Sequence, residues 1–452
     1  MLAAAPKTRH ASVITEIPGP QSLRYFEEDQ KYISPGIQTI ATLSRLTIDR
    51  GEGCILQDVD GNRFIDFFAG VGVASLGYNH PAYVRVMQDQ VASVHVGSFT
   101  SKYRAALSHL LSDIAVGDLR RTQYYSSGAE AVEAALRLAK SHTRKTEFLG
   151  FWEGFHGKTM GVLGLLGDDF KHQLGPLPDG TYGSPYANCR HCVFNRSFPS
   201  CDFDCVSFLR KKIRYETLNN IAAIVVEPIQ GTAGNVIPPP GFLRQLRIVA
   251  DEIGALLIAD EMITGFGRTG RMFACQHDDV VPDIITIGKG FGGGFPMTGL
   301  MSRDEVIRAK PFANPSGSSS SYGGNPFASA AAYITVKTII DEGLVENSAR
   351  VGEAMLRRLV TFKDKFPFVG DVRGRGLMIG MELVRNPHTT ERLDKKYTRM
   401  IFQECLNRGL IVMGYNPDIR INPPLVISEE IAEEGVEIME QAFTSVADRI
   451  NL

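Results

Sequence analysis

Short aliphatic runs alternate with amphipathic stretches through the middle of the chain. Ile221-Ala-Ala-Ile-Val-Val226, Ala255-Leu-Leu-Ile-Ala259 and Ile284-Ile-Thr-Ile287 are continuous apolar runs of strand length, and Thr298-Gly-Leu-Met301 reads as a fourth. A run that is apolar at every position, rather than every second one, predicts a strand covered on both faces. Between the first two runs, Phe242, Leu246, Val249 and Ile253 recur at helical spacing. Strand, helix, strand in this order predicts crossover connections and a parallel sheet.

The flanks read differently. Asp58-Val-Asp-Gly-Asn-Arg-Phe-Ile-Asp66 alternates on either side of Asp60-Gly61, the pattern of a hairpin. From about Asn325 the pattern is a long helix, then mixed strands and helices, closing with a helix over 429–450. The expected architecture is therefore α/β. A large domain with a mostly parallel central sheet spans 76–335, and a smaller α+β domain is assembled from 1–75 and 336–452. A chain of 452 residues suits two or three such compact units.

Composition narrows the function classes. With 44% hydrophobic and 22% charged residues the chain reads as an ordinary soluble protein, and a net charge of -2 gives no pull toward nucleic acid or a membrane surface. The first residues lack the charged and apolar segments of a signal peptide. The longest apolar runs fall far short of a membrane span. The expected compartment is the cytoplasm, where disulfides are unusual.

Three of the strand-like runs end in ionisable residues. The first leads into Glu227-Pro228, the second into Asp260-Glu261, the third into Gly288-Lys289-Gly290. Taken singly these are a surface carboxylate, a helix cap and a solvated lysine. Together they converge, because the carboxyl ends of parallel strands form the ligand crevice of an open sheet. Lys289 lies among glycines in a stretch of low polarity, where a lysine can carry a lowered pKa and form a Schiff base with a carbonyl. Pyridoxal phosphate is the common cofactor that needs such a lysine, together with an acid for its ring nitrogen. It also needs a phosphate site. Ser126, Ser127 and Gly128 open an amphipathic helix, whose free N–H groups and dipole favour an anion.

On these residues the chain resembles the class III (ω-type) aminotransferases of the fold-type I pyridoxal phosphate enzymes. The resemblance runs from about Tyr32 to the end. Its most specific pieces are Asp260-Glu-Met-Ile-Thr-Gly-Phe-Gly-Arg-Thr-Gly270 and Thr286-Ile-Gly-Lys-Gly290, supported by Ser126-Ser-Gly-Ala-Glu-Ala131, Glu227-Pro-Ile-Gln-Gly231 and Tyr322-Gly-Gly-Asn-Pro326. It implies that Lys289 holds the cofactor and shuttles the substrate proton, and that Asp260 pairs with the ring nitrogen. Phe155 and Met262 would pack on opposite ring faces. Ser127, Gly128 and Ala129 would hold the phosphate, and His156 and Glu227 would complete the cofactor site. Ser321 stands where the family has a threonine that reaches the phosphate from a partner subunit, so the resemblance implies a homodimer.

Where the chain departs from the family pattern, the substrate is at stake. Members acting on 4-aminobutyrate or ornithine carry a second glutamate after Glu-Pro-x-Gln-Gly; here the position is Thr232. The arginine it masks is retained as Arg420. Those members also grip a carboxylate with an arginine where this chain has Lys158, which lacks the bidentate fork. Val71 is a third pocket position, and Ile263 replaces a common glutamine. The resemblance thus implies a glutamate-like amino-acid or keto-acid partner at Arg420. The second substrate would be a bulkier amine, polyamine-like or of the amino-sugar kind handled in aminoglycoside antibiotic pathways. An epimerase or aminomutase using the same lysine and aspartate is the rival, with an ω-amino acid or polyamine transaminase beside it.

Four of the seven cysteines, Cys189, Cys192, Cys201 and Cys205, crowd into one stretch with spacing C-x2-C-x8-C-x3-C. Schiff-base chemistry needs no thiol there. Zinc and free structural thiols remain level as readings, disulfides fit the compartment poorly, and no metal is assigned.

Overall fold

The computed structural model describes residues 10–167, 169–386, 388–414, 416 and 418–450. The chain divides into two compact units, one running from Pro81 to Ala349 and the other built from both termini, up to His80 and from Arg350 onward.

The strands in chain order are β1 (Ile48–Glu52), β2 (Ile55–Asp58), β3 (Arg63–Asp66), β4 (Arg121–Tyr125), β5 (Glu147–Phe151), β6 (Thr181–Ser184), β7 (Ile221–Val226), β8 (Leu256–Asp260), β9 (Ile284–Ile287), β10 (Thr298–Ser302), β11 (Val369–Arg375), β12 (Met378–Leu383), β13 (Leu410–Ile411) and β14 (Asp418–Ile421). The central unit holds one seven-stranded sheet in the order β4-β10-β9-β8-β7-β5-β6. Every residue of β5, β7, β8, β9 and β10 is buried, as unbroken apolar runs require. The helix Phe242–Glu252 connects β7 to β8 and buries Phe242, Leu246 and Val249.

One strand reverses the pattern. β10 runs antiparallel to both β4 and β9, whereas β5, β6, β7, β8 and β9 pair in parallel. A fully apolar run signals burial on both faces but carries no direction, so the Thr298–Met301 stretch could not reveal this. The consequence is geometric. β10 begins where its parallel neighbours end, with Thr298 opposite Tyr125 in the register. The sheet edge that receives the ends of β4, β5, β7, β8 and β9 also receives the start of β10.

The terminal unit carries a four-stranded sheet, β1-β2-β3-β13, and an antiparallel three-stranded sheet, β11-β12-β14. The hairpin expected at Asp58–Asp66 is β2 and β3, closed by the Gly61 N–H on Asp58 O at 3.1 Å. The last helix, Glu429–Ala447, stops short of 450. It rests a glycine on the sheet: a Cβ at Gly435 would lie 2.3 Å from the Phe67 ring, which is fully buried. Gly435→Ala would gain about 1 kcal/mol in helix propensity. Overpacking against a ring with no room to yield costs about 1–3 kcal/mol. The expected outcome is a lower thermal midpoint by circular dichroism, with net destabilisation of up to about 2 kcal/mol.

Candidate active site

Asp260 is the last residue of β8 and is almost completely buried. Its Oδ2 lies 2.7 Å from His156 Nδ1. Its Oδ1 accepts from Thr286 Oγ1 at 2.9 Å and from the Met262 N–H at 3.2 Å. Three donors converge on one carboxylate from three parts of the chain: the loop after β5, the strand β9 and the turn after β8. A buried carboxylate is costly unless so partnered, and hydrogen bonds to a charged group return about 1.5–3 kcal/mol each. Burial works to lower the pKa of His156, but the hydrogen bond and charge of Asp260, with the charge of Glu227, outweigh it and raise the pKa.

Glu227 follows β7. Its Oε1 accepts from the Phe155 N–H at 2.8 Å and its Oε2 from the Gly231 N–H at 3.0 Å. Burial holds this carboxyl above its usual range; Asp260 adds to the effect, while His156 and the two N–H groups partly offset it. Glu227 therefore fixes the backbone of Phe155, and Asp260 fixes the ring of His156. The loop lies directly on the helix Gly128–Thr143, since a Cβ at Gly157 would come 2.5 Å from Ala129 Cβ.

That helix begins just past β4. Ser127 Oγ accepts from the Glu130 N–H at 3.3 Å, and Glu130 Oε2 accepts from the Ser126 N–H at 2.9 Å. Helix geometry leaves the N–H groups of Gly128 and Ala129 to an outside acceptor, at the positive end of a 16-residue helix. Thr298 Oγ1 on β10 donates to Ser127 O at 2.9 Å, pinning the turn to the reversed strand.

Lys289 opens a short 3-10 turn after β9 and holds a left-handed backbone, φ 45°. For a non-glycine residue this conformation is strained and marks a position that the surroundings dictate. Gly288 before it is closely packed, because a Cβ would sit 2.5 Å from Met262 Sδ and 2.9 Å from Thr298 Cγ2, so any side chain there would have to displace both. Met262 Sδ also lies 3.5 Å from where a Gly128 Cβ would stand. Met262 therefore borders both the lysine turn and the helix start.

Ser127, Gly128, Ala129, Phe155, His156, Glu227, Asp260, Met262 and Lys289 thus gather at one edge of one sheet. Ser321 is in the same unit but exposed, on a strap that ends at the helix Pro326–Asp341. Ser318 Oγ is 2.5 Å from Tyr125 Oη, and a Cβ at Gly323 would lie 2.3 Å from Tyr124 O, so the strap is seated at both ends. Lys158 is exposed, its Nζ 4.2 Å from the centroid of Phe170 and 6.0 Å from that of Phe155. Ile263 is buried and Thr232 half-buried. Val71 and Arg420 belong to the terminal unit. Val71 has φ 66° within the short helix Ala69–Gly72, and Arg420 is buried on β14, opposite Gly380 of β12.

Sequence reading passed over Thr286, Thr298 and Phe170. For Thr286 a signal existed, since a lone hydroxyl inside Ile284-Ile-Thr-Ile287 must find a partner once buried. For Phe170 there was none: its contact to Phe155, with ring centroids 5.9 Å apart, spans an irregular loop.

The donor set suits a phosphorylated aromatic cofactor: a helix start for an anion, a buried carboxylate for a ring nitrogen, a lysine for an aldehyde. The comparisons agree. The model of the family "Aminotransferase class-III" matches residues 39–443. An alanine/serine racemase of Pyrococcus horikoshii is 34% identical over 96% of this chain and 93% of its own. An acetylornithine aminotransferase of Methanopyrus kandleri is 38% identical over 88% of this chain and 94% of its own. An amine transaminase from an uncultivated Pseudomonas species, solved with pyridoxal phosphate bound, superposes with a TM-score of 0.86 at 28% identity over 93% of this chain and 99% of that one. The chain belongs to the class III aminotransferases, which are pyridoxal phosphate-dependent enzymes of fold type I. Bound there, the cofactor supplies an aldehyde that condenses with amines and a ring that takes up electrons.

Two substitutions test the site. Lys289→Ala is expected to lower single-turnover rates by at least about 10²–10⁴-fold, the range of a lost acid–base group. Asp260→Asn removes the first two influences that raise His156, so the histidine should titrate at lower pH. Nitrogen NMR of the imidazole reads that shift directly; an unchanged titration would contradict the coupling.

Proposed function

We propose that this enzyme moves an amino group between a glutamate-like amino acid and the carbonyl of a bulkier amine or amino sugar of the aminoglycoside type. It would work in the cytoplasm as a homodimer, with Ser321 of each chain serving the phosphate of the other. In this reading Asp260 keeps the ring nitrogen protonated, with His156 and Thr286 holding its carboxylate in place. Gly128 and Ala129 bind the phosphate through their N–H groups. Phe155 and Met262 enclose the ring, and Lys289 carries the proton. Arg420 receives the carboxylate of the amino acid, in a pocket that includes Val71.

The observation that carries the choice of second substrate is the state of Lys158. Its ammonium leans on the face of Phe170 at 4.2 Å, an attraction worth about 0.5–1 kcal/mol at an exposed site. A point charge occupied in this way grips a distal carboxylate poorly, while the Phe155–Phe170 pair offers a broad apolar wall. The expected outcome of a donor and acceptor screen is that glutamate converts the cofactor to its amine form and that bulky amines or amino-sugar aldehydes convert it back, followed by absorbance. Far better turnover of 4-aminobutyrate than of any such substrate would sink the reading. Lys158→Arg should raise kcat/KM for ω-amino carboxylates about tenfold, the worth of one charge-assisted hydrogen bond.

A second reading is racemisation or epimerisation, favoured by the 34% identity to the alanine/serine racemase. It uses the same Lys289 and Asp260 but returns the proton to the same amino acid. Appearance of D-alanine from L-alanine, with no keto acid and no change of cofactor form, would select it over transamination.

A further inference from the structure

Four consecutive residues of the terminal unit hold a backbone that L-amino acids avoid. Ala69, Gly70, Val71 and Gly72 have φ of 47°, 60°, 66° and 73°, so the short helix after β3 is left-handed. Left-handed conformations normally occur as single residues, most often glycine. Here two of the four are not glycine, and Val71 is β-branched, the kind of residue for which a positive φ is an outlier. The turn closes through the Gly72 N–H on Phe68 O at 3.1 Å and the Val73 N–H on Ala69 O at 2.7 Å. Strain of this kind persists only where the surroundings impose it.

The surroundings form a clasp around Asp66, the last residue of β3, which is fully buried. Its Oδ1 accepts from the Phe68 N–H at 2.7 Å and the Ala69 N–H at 3.0 Å, and its Oδ2 accepts from Tyr78 Oη at 2.7 Å. The first two donors set the entry to the turn. The third ties it to Tyr78, whose backbone exchanges two hydrogen bonds of 2.9 Å with Gly53, between β1 and β2. Burial raises the pKa of the Tyr78 hydroxyl and the charge of Asp66 adds to the shift, so the hydroxyl keeps its proton and donates.

The flanks of the turn are bound to the segment that follows Arg420. The Asn422 N–H donates to Phe67 O at 2.9 Å, and the Leu425 N–H to Ser75 O at 2.8 Å. One stretch of chain, beginning two residues past Arg420, thus holds both sides of the turn. Within it Ala69 and Gly72 are buried, while Val71 is only half-buried.

We propose that Asp66 is a positioning residue: its clasp holds the left-handed turn so that Val71 stands in a fixed relation to Arg420, and this relation decides which amino acids the enzyme accepts. The proposal rests on Arg420 receiving the substrate carboxylate and Val71 lining its pocket, as proposed for the function. A substrate held by its carboxylate then meets Val71 at a set point along its length. Loosening the clasp leaves the hydrogen bonds of Asp260 and the turn of Lys289 as they are, so it acts on substrate binding and not on proton transfer.

The test is steady-state kinetics of the holoenzyme with L-glutamate and with L-alanine, for the wild type and for Tyr78→Phe, Asp66→Asn, Val71→Gly and Arg420→Ala. Tyr78→Phe and Asp66→Asn should each raise KM for the better amino acid about tenfold with kcat within about threefold, the split expected when binding alone is weakened. Val71→Gly suits the left-handed turn, so its thermal midpoint should move by less than about 4 °C. The ratio of its kcat/KM values for the two amino acids should change about tenfold, the discrimination that a few methyl groups provide. Arg420→Ala separates the two ideas. No rise in KM there would overturn the carboxylate reading and this proposal with it. A rise there, with KM and the ratio unchanged in the other variants, would overturn this proposal alone. If Asp66→Asn fails to fold, Tyr78→Phe and Val71→Gly decide.

Discussion

The cofactor edge of this enzyme is organised around one buried carboxylate. Asp260 cannot remain charged out of water without partners, and its partners come from far apart in the chain. His156 is 104 residues away and Thr286 is 26 away. Their convergence requires β8 and β9 to pair in parallel, with Asp260 opposite Thr286. It also requires the loop after β5 to fold back over the sheet edge. Glu227 makes the same demand from the other side by fixing Phe155. The sheet is thus the frame that makes a buried ionic site tolerable, and the site in turn holds the loops at the sheet edge.

The reversed strand β10 gives that frame a second function. By starting where the others end, it supplies Thr298 to the turn at Ser127 and closes the space beside Gly288. The helix start for an anion and the lysine turn are then bordered by the same two side chains, Met262 and Thr298. A side chain at Gly288 would have to displace both of them, and Lys289 beside it holds a left-handed backbone that a non-glycine residue disfavours. Preorganisation of this kind places strain in the resting protein, where packing can hold it, rather than during reaction.

The cysteine-rich stretch at 189–205 shows the opposite arrangement. Four cysteines line a small cavity away from the carboxylate network, linked to it through Tyr186 and the Glu227 turn. Burial raises the Cys189 and Cys205 thiols, which speaks for low reactivity there, and the shared cavity speaks for a structural role. The region most conspicuous in the sequence is chemically the quieter one.

Sequence alone determined β7, β8, β9 and β10 and the ionisable residues at the ends of the first three, because burial on both faces demands unbroken apolar runs and those residues come directly after the runs. Lys289, Asp260 and Glu227 were legible for that reason, and the Ser127–Gly128 helix start because caps have local signatures. The direction of β10 was not legible, since apolar character has no polarity along the chain. Nor were the Asp260–Thr286 and Lys158–Phe170 contacts, which join residues with no periodic relation. Only the tertiary structure decided these, because hydrogen bonds and ring contacts depend on distances that sequence separation does not set.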